Sequence, residues 1–215
     1  MKTTLVFLRH GLSLGNKEKK FTGQLDLPLD EVGLAQGVAA SRYIAERYSI
    51  DAIYASDLSR AVETVRHLSE RLALPIRMCA DLREIHVGVW QGMKIEEVRR
   101  LYPKEIEQYK TAPNTFRFID GESYGDVIIR ARRAVNEIAK ANEGKTVVIA
   151  THGGVIRALR ASCEGEPLAA LKRLSILPNA SVSVAEYENG SLRFTELGVT
   201  AFLTGDLAET EEGVK

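Results

Sequence analysis

The sequence predicts an α/β fold, a three-layer α/β/α sandwich with a mostly parallel central sheet and helices on both faces. Three observations predict it. Short strand-like apolar runs alternate with helix-length amphipathic segments along most of the 215 residues. The run Val147-Val148-Ile149-Ala150 is apolar throughout, the pattern of a strand buried on both faces of a parallel sheet. No repeat, low-complexity stretch or interdomain linker interrupts the alternation, so residues 1–215 read as one domain long enough for a sizeable core.

Thr3 to Leu8 reads as a first buried strand, which runs out at Arg9-His10-Gly11. Leu12 to Asp26 has no clear period and reads as an irregular loop, with Lys17, Lys19 and Lys20 on a solvated face. Asp30 can cap a helix to about Tyr48, with Leu34, Val38, Ile44 and Ala45 on its inner face. Asp51 to Ala55 is a second strand. Ser56 or Asp57 can cap the helix that follows, through about Leu72. Arg60 then falls in the first turn. A cation there opposes the helix dipole unless an anion is nearby, and helix N-termini are anion sites.

Pro75 to Cys79 is a third strand, and Glu84 lies just past it. Lys94 to Lys110 is helical and charged, and Pro103 divides it into two short helices. With the loop from Thr111 to Asp120 it forms a lid-like insertion around 93–120. Gly121-Glu122-Ser123 opens a long helix to about Asn142, with Val127, Ile128, Ala131, Ala134, Val135 and Ile138 at helical spacing. Thr151-His152-Gly153-Gly154 follows the apolar strand and leads into a helix through Ala161. Ser181 to Glu186 alternates as a strand, and Asn189-Gly190 suits a hairpin turn into Ser191 to Leu197. The acidic tail from about Gly205 is expected to fray.

The 29 basic and 29 acidic residues cancel, without the basic excess usual in nucleic-acid or membrane-surface binders. Two distant cysteines, Cys79 and Cys163, make no disulfide framework. No apolar run has the length of a bilayer span or a signal peptide core. A cytoplasmic protein is expected, with no nucleic-acid or membrane partner.

Strand ends now carry Arg9 with His10, Glu84 and His152, and a helix start carries Arg60. In open α/β sheets that is where ligands bind. The set suits a phosphoryl group. Two arginines can hold its oxygens by charge-assisted bonds. A neutral imidazole can attack phosphorus, a carboxylic acid can protonate the leaving alkoxide, and a second histidine can stabilise charge. There is no G-x-x-x-x-G-K-[ST] or G-x-G-x-x-G nucleotide loop.

The motifs fall in the order of a known family. They are Arg9-His10-Gly11, Ser56-Asp57-Leu58-Ser59-Arg60-Ala61-Val62-Glu63-Thr64, Leu82-Arg83-Glu84 with Gly88-Val89-Trp90-Gln91-Gly92, Gly121-Glu122-Ser123, and Thr151-His152-Gly153-Gly154. The chain resembles the histidine phosphatase superfamily from Leu5 to about Glu196. The resemblance implies phosphoryl transfer through a phosphohistidine on His10, without cofactor or metal. It implies a phosphate pocket of Arg9, Arg60 and His152, with Glu84 as general acid. Asn16, Thr22, Gly23 and Gly153 would sit on the substrate side. One departure is Leu12, where the family usually has an acidic or amide residue before Ser or Thr.

Hydrolysis of a small phosphorylated metabolite is the expected reaction. Family phosphoglycerate mutases carry a long insertion before the Gly-Glu-Ser motif, and the stretch from Gly92 to Gly121 is short. Against this, Asn16 and Phe21-Thr22-Gly23 resemble the mutase wording. A cofactor-dependent mutase and a non-catalytic phospho-ligand binder are the alternatives; the latter usually loses a histidine or the carboxylate. A metallohydrolase built on His10, His67, His86 and His152 lacks tight ligand spacing. The substrate is open between a broad-specificity phosphatase and an α-ribazole phosphatase, and a homodimer is left open too. Phe21, Trp90, Phe116, Phe118 and Tyr124 are candidates for an apolar pocket wall. Arg83, Lys94 and Arg117 are candidates for gripping a second anionic group.

Overall fold

The structure, a computed structural model, describes residues 1–208. The strand β1 (Thr3–Arg9) is buried on both faces. Leu5 and Phe7 enter one core, and Val6 and Leu8 enter the other. Alternate side chains of a mid-sheet strand must do this, because successive Cβ atoms point to opposite faces.

After β1 come α1 (Leu14–Lys17), α2 (Glu31–Arg47), β2 (Ala52–Ala55), α3 (Ser59–Leu72) and β3 (Ile76–Met78). Then follow α4 (Ile95–Leu101), α5 (Pro103–Thr111), α6 (Tyr124–Ala141) and β4 (Thr146–Thr151). The helices α7 (Gly153–Ala161) and α8 (Pro167–Ala170) precede the hairpin of β5 (Val182–Glu188) and β6 (Ser191–Val199). The hairpin turns at Asn189 and Gly190, whose φ of 50° and 82° suit a two-residue left-handed turn.

The strands form one sheet in the order β3-β2-β4-β1-β5-β6. The first four in that order are parallel, and the hairpin adds two antiparallel strands. Ala40, Ile44, Val65 and Leu68 of α2 and α3 cover one face. Val127, Val135, Ile156 and Leu159 of α6 and α7 cover the other. This is the expected three-layer sandwich. Among the described residues no helix is long and apolar enough to cross a membrane.

β1 passes the chain to α2, on one face; its neighbour β4 passes it to α7, on the opposite face. Adjacent strands whose connections part in this way leave a crevice at their carboxyl ends.

Several local expectations are corrected. The 12–26 stretch is not all loop: Ser13 and Asn16 form a capping box that starts the four-residue α1. One turn is too short to show a period. The inner face of α2 is Gly33, Gln36, Gly37, Ala40, Ser41 and Ile44, while Leu34 is exposed. Small residues face inward because the helix runs close to other backbone. A Cβ on Gly37 would lie 2.8 Å from the Thr64 carbonyl oxygen of α3.

Neither Ser56 nor Asp57 is the N-cap residue of α3, which is Leu58, without a side-chain cap bond. Asp26 supplies the carboxylate instead, accepting from Ser59 N at 2.8 Å and Ser59 Oγ at 2.7 Å. Asp57 is taken by Arg83. The segment 93–120, expected as a lid-like insertion, packs on the core through Val98, Ile106, Phe116 and Phe118. Trp90 sits among Phe21, Tyr102, Tyr109, Phe116 and Phe118, with ring centroids 4.9–6.2 Å away. Of the expected frayed tail, Gly205–Ala208 forms a 3-10 turn, and Gln36 Nε2 donates to Leu207 O at 2.9 Å. Residues 209–215 lie outside the described residues.

The turn after β1 and the start of α2 touch backbone to backbone. A Cβ on Gly33 would meet Leu12 O at 2.0 Å, and one on Gly11 would meet Gly33 O at 2.4 Å. Gly33→Ala should therefore destabilise the protein by about 1–3 kcal/mol through overpacking. Intrinsic helix propensity favours the same change by about 0.8–1 kcal/mol. Urea unfolding distinguishes the two, and a midpoint equal to or above that of the parent would refute the close approach.

Candidate active site

The two site histidines are brought together by strand register. β1 and β4 pair with Arg9 opposite Thr151, so His10 and His152 leave the sheet side by side. His10 N donates to Thr151 O at 2.9 Å, and the two rings lie 5.1 Å apart at 58°. His10 Nδ1 lies 2.7 Å from Gly11 O. A carbonyl only accepts, so Nδ1 carries the proton and Nε2 keeps its lone pair. Burial, then the Arg60 and Arg9 guanidiniums, push His10 well below the usual imidazole range. His152 is pushed the same way by burial and by Arg60, His10 and Arg9. Its ring nitrogens have no hydrogen-bond partner among the described residues.

Arg9, His10, Asn16, Thr22, Gly23, Arg60 and Glu84 line one cavity of about 490 Å³. Arg9 is aimed by a bond from Nη1 to Leu177 O. Arg60, 1% exposed, donates to Gly23 O at 2.7 Å and Leu25 O at 2.8 Å. Gly23 holds its carbonyl there with a φ of 51°. His152 packs behind His10 and does not itself line the cavity. Gly153 does not line it either. Its lack of a side chain admits Arg9 instead, since a Cβ would lie 3.1 Å from Arg9 Nε.

Glu84 accepts from Ile85 N at 2.8 Å and from Gly154 N at 3.1 Å, one carboxyl oxygen each. A Cβ on Gly154 would lie 2.3 Å from Glu84 Oε1, so the second glycine of the motif makes room for this carboxyl. Arg130 of α6 holds the segment beneath. It donates to the carbonyls of Asp81, Arg83 and Glu84 at 2.6–3.0 Å. It also forms a two-pronged bond to Glu122 at 2.7 and 2.9 Å. Glu122 accepts in turn from His86 N at 2.8 Å, which gives the Gly-Glu-Ser motif a structural duty.

Asn16 is held by Ser13 and by Asn179, whose Nδ2 also reaches the carbonyls of His10 and Gly11 at 3.3 Å. Thr22 presents a buried hydroxyl with no hydrogen-bond partner among the described residues. Leu12 does not shape the pocket wall; its side chain is 2% exposed and its N–H donates to Gln36 Oε1 at 2.9 Å. Ser13 lines the cavity in its stead.

The second-anion candidates are elsewhere. Arg83 pairs with Asp57, Arg117 with Asp126, and neither they nor Lys94 lines the cavity. Lys20, Lys110 and Arg157 do line it. Lys20, expected on a solvated face, also pairs with Glu18 at 2.5 Å. Of the expected aromatic wall, Phe21 and Tyr124 reach the cavity, joined by Tyr109, while Trp90, Phe116 and Phe118 are core. The readable signal for Arg157 was its place three residues after Gly154, on the same helical face. His67 and His86 are not on the lining.

The buried rings set a titration test. In nitrogen-15-labelled protein, His10 and His152 should remain neutral at about pH 6, below the ~6.5 of free imidazole. His10 should show Nδ1 as the protonated nitrogen. Unfolded chains take up protons near ~6.5 that the native rings refuse. The stability linked to these rings is therefore complete above that value and declines as pH falls below it. Two doubly protonated rings at pH 6 would overturn the assignment.

The family model for the histidine phosphatase superfamily (branch 1) matches residues 5–200. Glucosyl-3-phosphoglycerate phosphatase of Mycolicibacterium vanbaalenii is 36% identical over 188 residues, covering 82% of this chain and 81% of the relative. Metal-independent phosphoserine phosphatase of Arabidopsis thaliana is 33% identical over 159 residues, covering 73% and 67%. The solved structure of Bacillus stearothermophilus YhfR superposes with a TM-score of 0.87 at 33% identity, over 93% of this chain and 98% of that one. A match that runs from the first strand to the last, in sequence and in structure, means that this chain belongs to branch 1 of the histidine phosphatase superfamily.

Proposed function

We propose that the protein hydrolyses the phosphomonoester of a small phosphorylated metabolite through a phosphohistidine on His10, without metal ion or cofactor. The observation that carries this reading is the His10 Nδ1 bond to Gly11 O, which leaves Nε2 unprotonated in a cavity it shares with two arginines and a carboxyl. Nε2 attacks phosphorus as the ester P–O bond breaks. Arg9 and Arg60 bind the phosphoryl oxygens, and His152 supports the charge from behind His10. Glu84 gives a proton to the departing alkoxide. Water then attacks the phosphohistidine, Glu84 takes its proton, and inorganic phosphate leaves with His10 neutral again.

The names of the relatives support hydrolysis over a mutase reaction. So does the short stretch between Gly92 and Gly121, which is filled by α4, α5 and one loop. The name of the Arabidopsis relative supports metal independence. Tyr109 and Lys110 on the lining support a covering role for the 93–120 segment. Cys79 and Cys163 are free thiols, which suits the cytoplasm.

Rapid quenching during turnover should trap an acid-labile, base-stable phosphoryl-enzyme, absent from His10→Ala along with activity. Turnover should persist in chelator. In oxygen-18 water the phosphate should be labelled as fast as substrate disappears. Many interconversions of phosphoglycerates per phosphate released would instead mean a mutase.

Glu84→Gln should slow the burst with an alkyl phosphoester far more than with p-nitrophenyl phosphate, whose phenolate leaves without help. General acid catalysis is worth roughly 10²–10⁴-fold. Equal losses with both esters would remove Glu84 from the acid's role.

A further inference from the structure

The side of the cavity that holds Arg60 and the side that holds Glu84 come from different parts of the chain. On the first, Leu25 N donates to Thr22 O at 3.0 Å and closes a tight turn. The Gly23 and Leu25 carbonyls of that turn accept from Arg60. On the second, Glu84 opens the segment that runs to Gln91. Gln24 lies between the two carbonyls that hold Arg60, and it joins the two sides. Its Nε2 donates to Glu84 O at 3.0 Å. Its backbone N donates to Gln91 Oε1 at 2.8 Å. One residue of the turn is thus tied to both ends of the 84–91 segment, once by side chain and once by backbone. A carbonyl only accepts and a backbone N–H only donates, so each glutamine amide has a defined orientation. Neither glutamine lines the cavity, although Gly23, Arg60 and Glu84 do.

The other bonds to Glu84 do not reach this turn. Arg130 of α6 donates to Glu84 O at 3.0 Å, and Gly154 N of α7 donates to its carboxyl at 3.1 Å. They place Glu84 relative to α6 and α7, whereas Arg60 stands on α3. Arg83 adds a tie to Asp57, just ahead of α3, but its side chain is 40% exposed and solvent weakens such a pair. Gln24 and Gln91 are half-buried and uncharged, so their bonds are less sensitive to salt. In the hydrolase reading above, on which this step rests, Arg60 binds the phosphoryl oxygens while Glu84 protonates the ester oxygen on the same phosphorus. The separation of guanidinium and carboxyl must therefore match one substrate geometry, and a misplacement of about 1 Å can cost ~10²-fold in rate.

We propose that Gln24, pinned by Gln91, is a positioning residue that sets the distance between Arg60 and the general acid Glu84. Gln24→Met keeps the length of the side chain and removes its donor. Single-turnover formation of the phosphoryl-enzyme should slow by about tenfold or more with glycerol 3-phosphate, whose alkoxide needs the acid. It should change little with p-nitrophenyl phosphate. Competitive inhibition by inorganic phosphate should be unaltered, because Arg60 keeps both carbonyls; weakened inhibition would place the effect at Arg60 and overturn the proposal. Equal slowing with both esters marks Gln24 as merely structural and overturns it as well. In a Glu84→Gln background, Gln24→Met should cost nothing further with glycerol 3-phosphate, since no acid remains to be placed. Additive losses there show that Gln24 does not act through Glu84, and refute the role. Should Gln24→Met fail to fold, Gln91→Met decides by the same comparison, with the same split between esters expected. Absence of a phosphoryl-enzyme from either ester in the wild type, or equal slowing of both in Glu84→Gln alone, strikes the hydrolase reading and this proposal with it. If Glu84→Gln separates the esters and the glutamine variant does not, the positioning role alone falls.

Discussion

The site depends on one pairing: β1 against β4, parallel, with Arg9 opposite Thr151. It sets two histidines side by side at the crevice and puts the turn after β1 against α2. A slip of one residue would send each β1 side chain to the opposite core and carry His10 out of line with His152. Val6, Phe7, Val148 and Ile149, all fully buried, resist that slip from both faces. The hydrophobic core therefore does more than stabilise the chain, since its register positions His10 beside His152.

The second constraint is electrostatic. His10 and His152 are buried beside Arg60 and Arg9, so their protonation would add charge to a crowded cationic site. The arginines keep theirs, because a guanidinium does not deprotonate in proteins. The imidazoles yield, and a neutral imidazole is the form that can attack phosphorus. Charges suited to receiving a phosphoryl group thus keep the His10 imidazole neutral beside them.

The architecture was legible because it rests on periodicity and on apolar runs. Val147 to Ala150 reads as a central strand from composition alone, and α6 shows its inner face at Val127, Ala131, Ala134 and Val135. The α2 face was not legible. Its inward residues are chosen for smallness, so counting apolar groups points to exposed Leu34 instead. Arg9, His10, Arg60 and Glu84 were readable as a charged set at strand and helix ends. Asp26 as the partner of Ser59, Arg130 under Glu84, and Asn179 beside His10 were not, because each acts across 33 or more residues. Long-range partners leave no local spacing to read.

The way each arginine is held separates its duties. Arg130 meets the carboxylate of Glu122 through two bonds, which offsets its charge and leaves it a brace for the 81–84 segment. Arg9, Arg60 and Arg157 each donate to backbone carbonyls, of Leu177, of Gly23 and Leu25, and of Leu171. A carbonyl dipole fixes the direction of a guanidinium without itself cancelling the charge. Those carbonyls belong to loops around the cavity, at 23–25 and 171–177. Packing of these loops is therefore coupled to the aim of the cations. An anion binding between them would strengthen contacts that already exist rather than assemble new ones. That is preorganisation, which lowers the reorganisation needed when charge develops on a transferring group.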